Sequence, residues 1–181
     1  MGISGSLRKA SFNTALLRAA ASLVPDGVSL EIRTLHGIPL YDGDEEAAGR
    51  FPAAVSDLKE AIARSQGVIL ATPEYNGSIP GVFKNAVDWL SRPAADIKRV
   101  FGRKPLALVG ASPGRFGTIL AQTAWLPVLR SLGVDYWTGS RLFVSSARTT
   151  FDADGNLTDA AVRDQLQQFV AGFTSFIPSI R

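Results

Sequence analysis

Three short segments hold the residues able to do chemistry. Ser4, Gly5, Ser6, Arg8, Ser11 and Asn13 put hydroxyls, an amide and a guanidinium just ahead of a helical pattern. Backbone N–H groups at a helix start, hydroxyl donors and one bidentate cation suit a phosphate. A Ser/Gly turn with Ser11 or Asn13 as an N-cap explains the same residues without a ligand. The second segment, Pro73-Glu74-Tyr75-Asn76-Gly77-Ser78-Ile79-Pro80-Gly81, sets a carboxylate, a phenol and an amide among breakers. Tyr75 there can flank a planar ligand, with Glu74 and Asn76 as polar contacts; a solvated turn is the other reading. The third is Gly110-Ala111-Ser112-Pro113-Gly114.

Composition removes several chemistries. There is no cysteine, which excludes disulfides, thiolate catalysis and Zn–Cys sites. His36 is the single histidine, so a Ser-His-Asp triad depends on it alone. It stands before the Gly37-Ile38-Pro39 turn and reads as a loop histidine. A single histidine also removes His-pair metal sites. Asp152-Ala153-Asp154-Gly155-Asn156 resembles a calcium loop only superficially. Its glycine is at the fourth position and Arg163 is at the twelfth, where an EF-hand needs glycine sixth and glutamate twelfth. The first segment is neither G-x-G-x-x-G nor a P-loop.

Net charge is +3, and the basic residues are scattered from Arg8 to Arg181. That argues for a solvated surface and against nucleic acid as a partner. No apolar run nears the ~18 residues of a membrane span, and the start lacks the apolar stretch of a signal peptide. A cytoplasmic address and no membrane partner are expected.

Strand and helix patterns alternate along all 181 residues. Helical spacing of apolar residues predicts helices over 13–24, 51–62, 82–92, 117–132 (with Pro127 inside) and 162–177, the last capped by Thr158 or Asp159. On the exposed face of the third, Lys84, Asp88 and Arg92 follow i, i+4 spacing, and Trp89 beside them reads as a subunit contact or a core residue. Strands are predicted over 28–35, 67–72, 106–109 and 134–144. Only Gly2, Ile3 and Ser4 precede the first turn, so the first strand is very short or chain upstream of Met1 is missing. Such alternation implies parallel pairing through right-handed crossovers. The expected fold is a single α/β domain over 1–181, a doubly wound five-stranded parallel sheet in the flavodoxin-like order 2-1-3-4-5. Its ligand belongs at the carboxyl ends of the strands, where all three segments fall.

Taken together, Gly5-Ser6-Leu7-Arg8-Lys9-x-Ser11-x-Asn13, Pro73-Glu74-Tyr75-Asn76-x-Ser78-x-Pro80-Gly81 and Lys84-Asn85-Ala86-x-Asp88-Trp89 resemble the NADPH-dependent FMN reductase family. The stretch 110–117 resembles its third ligand loop. The resemblance implies non-covalent FMN, with its phosphate at Ser6, Arg8, Ser11 and Asn13. It also implies a flavin ring against Pro73, Glu74, Tyr75, Asn76 and Gly77, with Ser112 nearby. Hydride would pass from NADPH or NADH through FMN to a small-molecule electron acceptor such as a quinone, chromate or an azo dye. A homodimer or homotetramer is implied as well. The rival reading is a flavodoxin-type electron carrier without NAD(P)H turnover. A hydrolase or sugar-phosphate enzyme lacks a nucleophile–base pair here.

Overall fold

The computed structural model describes residues 1–177; residues 178–181 of the expected domain lie outside them. The chain opens with β1 (Gly2–Ser4), α1 (Phe12–Ala21) and β2 (Ile32–Arg33). Next come α2 (Gly43–Ala47), α3 (Ala53–Arg64), β3 (Val68–Ala71) and α4 (Gly81–Leu90). A 3₁₀ turn at Ala94–Asp96 leads into α5 (Ile97–Val100), followed by β4 (Pro105–Ala111) and α6 (Ile119–Leu132). The chain continues through β5 (Asp135–Tyr136), β6 (Leu142–Val144), α7 (Ala147–Thr150) and α8 (Ala160–Phe176). The sheet is parallel in the order β2-β1-β3-β4-β5, with β6 also paired to β4. This is the flavodoxin-like order expected above.

Alternation along the strands divides the core into two halves. Ile3, Val68, Leu70, Leu106 and Leu108 face α3, α4 and α6, where they meet Ile62, Phe83, Leu90 and Trp125. Ile69, Ala71, Ala107, Val109 and Ala111 face α1 and α8, against Leu16, Leu17, Leu166 and Phe169. Burying each such large side chain stabilises the fold by about 1.5–3 kcal/mol. Two helical layers thus hold the sheet so that every strand points its carboxyl end at one edge.

The structure departs from the sequence expectation in several elements. β1 is three residues long, as the short-strand reading of Gly2, Ile3 and Ser4 has it, and lies between β2 and β3 in the expected order; the departures are elsewhere. Because a strand cannot pair beyond the length of its neighbour, the alternating stretch 28–35 contributes only Ile32–Arg33 to the ladder. The strand expected over 134–144 is broken in two, making six strands in place of five. β5 lies beside Pro105 and Leu106, and β6 beside Val109, Gly110 and Ala111. Trp137 turns into the core between them, edge-on to Phe169 at 5.0 Å, and the exposed Thr138, Gly139, Ser140 and Arg141 that follow favour a turn. α6 begins at Ile119 and keeps Pro127 in its interior, where the Thr123 carbonyl loses its usual donor. The short α2 was not expected; Asp42 caps it by accepting from the Asp44 N–H. Of the two caps considered for α8, it is Asp159 that accepts from the Val162 N–H.

Candidate functional site

The parallel sheet sends the ends of β1, β3 and β4 into one shallow cleft. Ser6, Arg8, Ser11, Phe12 and Asn13 line it from the first loop, Pro73, Glu74 and Tyr75 from the second, and Ala111, Ser112 and Pro113 from the third. Eight of the ten expected site residues are there; Asn76 and Gly77 are not. Those two form the tip of a tight hairpin, with φ of +51° and +69°, closed by Tyr75–Ser78 backbone hydrogen bonds of 3.2 and 3.0 Å. Asn-Gly is the favoured dipeptide of such a type I′ turn, because both central residues need left-handed backbone. Their work is to shape the loop that presents Tyr75, which is 46% exposed.

Two hydroxyls and a guanidinium of the first loop have no acceptor among the described residues. Ser6 is buried, and its Oγ accepts from the Arg8 N–H at 3.3 Å. Ser11, also buried, caps α1 by accepting from the Thr14 N–H at 3.3 Å. Neither hydroxyl donates to an acceptor among the described residues, and the Arg8 guanidinium makes no ion pair there. Ser6, Arg8, Ser11 and the start of α1 thus line one small space with the kinds of donor that suit an anion. His36 lies in a loop and donates from Nε2 to the Leu7 carbonyl at 3.1 Å, steadying the same turn.

Two of the expected ligand residues have their polar atoms engaged elsewhere in the protein. Asn13 Nδ2 donates to the Ala111 carbonyl and its Oδ1 accepts from the Ala111 N–H, both at 3.0 Å. Glu74 Oε2 accepts from the N–H groups of Leu120 and Ala121, at 2.8 and 2.9 Å. A carboxylate there satisfies orphan donors and meets the positive end of the helix dipole. Asn13 therefore ties the first loop to the third, and Glu74 ties the second to α6. Ser112 Oγ accepts from the Gly114 N–H at 3.2 Å, which tightens the third loop.

Sequence reasoning missed the supports behind the cleft. Trp125, fully buried on α6, donates from its indole nitrogen to Thr72 Oγ1 at 3.1 Å, at the point where β3 becomes the second loop. Phe83 stands edge-on to Trp125 at 5.0 Å and presses on Gly5 so closely that a Cβ built there would lie 2.1 Å from Phe83 Cδ1. Lys84 and Asp88 form the expected ion pair at 2.6 Å, while Arg92 stands over the Tyr41 ring instead. Trp89 is 1% exposed, so the core reading of that residue holds. Its indole and the Asn85 amide both donate to the Pro39 carbonyl. An Asn or Trp in an amphipathic helix was visible in sequence; a partner some 40–50 residues away was not.

The model of NADPH-dependent FMN reductases matches residues 1–149. The chain belongs to that family. It is 44% identical over 181 residues to an NAD(P)H-dependent FMN reductase of Pseudomonas aeruginosa, covering all of this chain and 96% of that one. It is 37% identical to a 2-hydroxy-1,4-benzoquinone reductase of a Burkholderia species, with 96% and 92% covered. Among solved structures, the flavoenzyme NAD(P)H:(acceptor) oxidoreductase of Paracoccus denitrificans superposes with a TM-score of 0.85 at 35% identity, over 98% of this chain and 96% of that one. Family membership makes the protein an oxidoreductase that uses FMN with NAD(P)H. The cleft fits that group on its own chemistry, because the Ser6 and Ser11 hydroxyls and Arg8 match a phosphate monoester.

Proposed function

We propose that the whole chain acts as one flavin-binding domain, an NAD(P)H-dependent FMN oxidoreductase that reduces quinones and similar small acceptors. The observation carrying this reading is that Ser6, Ser11 and Arg8, which has no ion-pair partner among the described residues, line one cleft with the exposed Tyr75, in a chain of this family. The chemistry FMN supplies when bound is two-electron transfer from NAD(P)H to the acceptor. Ser6, Ser11 and Arg8 would hold the FMN phosphate, the hydroxyls as hydrogen-bond donors and the guanidinium as its counter-charge. Pro73, Tyr75 and Ser112 would support the flavin ring, and the Asn76-Gly77 turn would hold Tyr75 in place for it. Asn13 and Glu74 contribute by holding the three loops in register. No protein side chain is assigned as acid or base.

Tyr75, Val82, Phe116, Ile119, Leu120 and Leu126 are all exposed, and Leu120 abuts the second loop at Gly77. An apolar margin of this kind supports a second copy of the chain docking beside the site, as a dimer or within a tetramer. None of the described helices is long and apolar enough to cross a membrane. A cytoplasmic address belongs to the same proposal, because NAD(P)H is a reductant of the cell interior. Anaerobic mixing of the FMN-loaded protein with NADPH tests the reading. Loss of flavin absorbance, restored by a benzoquinone, is expected; flavin that stays oxidised with both NADPH and NADH would contradict it.

A further inference from the structure

Beside the first loop lies a second, wider groove of about 730 Å³, bounded by α1, α7 and the turn that follows α7. Arg8, Lys9, Arg18 and Arg148 line it. None of these four makes an ion pair among the described residues, which is equally true of Arg64, Arg115, Arg130 and Arg141; what sets the four apart is that they share one groove. The groove also holds Asp152 and Asp154. Asp152 is turned into its own loop, accepting from the Asp154 and Asn156 N–H groups and the Asn156 amide. Even with the Asp154 carboxylate, the groove keeps an excess of positive charge, and an anionic ligand lowers the repulsion among its cations. Apolar surface completes the groove: Phe12 is half-buried and stacks on Phe151, with ring centroids 5.8 Å apart and planes at 28°.

We propose that this groove takes a phosphorylated adenosine group, its purine against Phe12 backed by Phe151 and its phosphates on Arg18, Arg148 and Lys9. The proposal rests on the assignment of the first loop to the FMN phosphate, because the two sites share Arg8, Ser11 and Phe12. Two ligands carry this chemistry. One is the adenosine end of NAD(P)H. The other is the AMP half of a flavin dinucleotide, whose second phosphate continues directly from the first.

The probe is 2′,5′-ADP, titrated calorimetrically into the protein with and without FMN. Saturable one-to-one binding is expected, weakened at least tenfold in Arg18→Ala/Arg148→Ala while FMN affinity stays within twofold. No binding, or equal binding by parent and variant, overturns the proposal. A KM for NADPH raised by a similar factor in the variant assigns the groove to the co-substrate. FAD held more tightly than FMN by the parent, but not by the variant, assigns it to a flavin dinucleotide. If FMN itself fails to bind while 2′,5′-ADP binds and responds to the double substitution, the FMN assignment falls and the groove stands alone.

Discussion

Asn13 grips both polar groups of the Ala111 backbone, giving its amide hydrogen to the carbonyl and accepting from the N–H, each at 3.0 Å. The two residues are 98 positions apart in the chain. This pair joins the start of α1 to the end of β4, so the first and third loops of the cleft are hydrogen-bonded to each other.

Asn13→Ala leaves a buried N–H and a buried C=O without partners. At roughly 1–3 kcal/mol for each unsatisfied group, the variant should lose about 2–6 kcal/mol of stability. Urea unfolding measures the loss, and hydrogen exchange locates it. The Ala111 amide should change from protected to fast-exchanging while β3 amides remain slow. An Ala111 amide as protected as in the parent would contradict the clamp.

Glu74 caps the N-terminus of α6 from the second loop. Glu74→Ala removes the acceptor of two backbone N–H groups together with the charge at the helix end and should destabilise by about 2 kcal/mol. Glu74→Gln keeps an acceptor oxygen and should lose only the charge–dipole part, about 0.3–1 kcal/mol. Thermal unfolding separates the two variants. Equal losses would show that hydrogen bonding to α6 is not what the carboxylate contributes.

Gly5 has no room for a side chain. A Cβ there meets the Phe83 ring at 2.1 Å, and Phe83 in turn packs on Trp125. Gly5→Ala should cost about 1–3 kcal/mol from overpacking. Combining it with Phe83→Leu should recover at least half of that penalty, which a double-mutant cycle reads directly. Strict additivity would rule out the ring as the cause.

Acid sensitivity should centre on Asp96. Lys59 is 5% exposed, with its ammonium 2.6 Å from Asp96 Oδ2. Hydrogen bonds from Lys59 first, and Arg99 second, hold the Asp96 carboxyl below its ordinary 3.8. A depressed carboxyl pKa adds stability that is present above the unfolded value and disappears as pH falls through the folded one. Asp96→Asn leaves Lys59 without its counter-charge; the pair is partly open to solvent, so about 2 kcal/mol should be lost at pH 7. The gap between parent and variant should narrow below about pH 4, as the parent's carboxyl protonates. Urea melts at pH 7 and pH 3 decide it, and an undiminished gap at pH 3 would contradict the assignment.

Much of the architecture was legible in local pattern. Buried runs such as Val68-Ile69-Leu70-Ala71 and the apolar stripe of α8 follow from period and burial, and the breaker-rich loops fall where those runs stop. Lengths set by a neighbour were not legible. β2 is cut short by the three residues of β1, and β5 parts from β6 because Trp137 finds its place against α8. At the site, the Ser6, Arg8 and Ser11 donors were readable because their chemistry is local to one loop. Asn13 and Glu74 looked like ligand residues for the same reason. Their partners lie 98 and 46 positions away, and only the folded sheet brings them together. Asn76-Gly77 carried a turn signal that its polarity masked.

The central claim is that the first loop holds the FMN phosphate through Arg8. Fluorescence titration of FMN into flavin-free protein, parent against Arg8→Ala, tests it most directly. Loss of a bidentate charge-assisted contact should weaken FMN binding about tenfold or more, while riboflavin, which has no phosphate, should bind both proteins alike. FMN bound equally tightly by parent and variant would contradict the account.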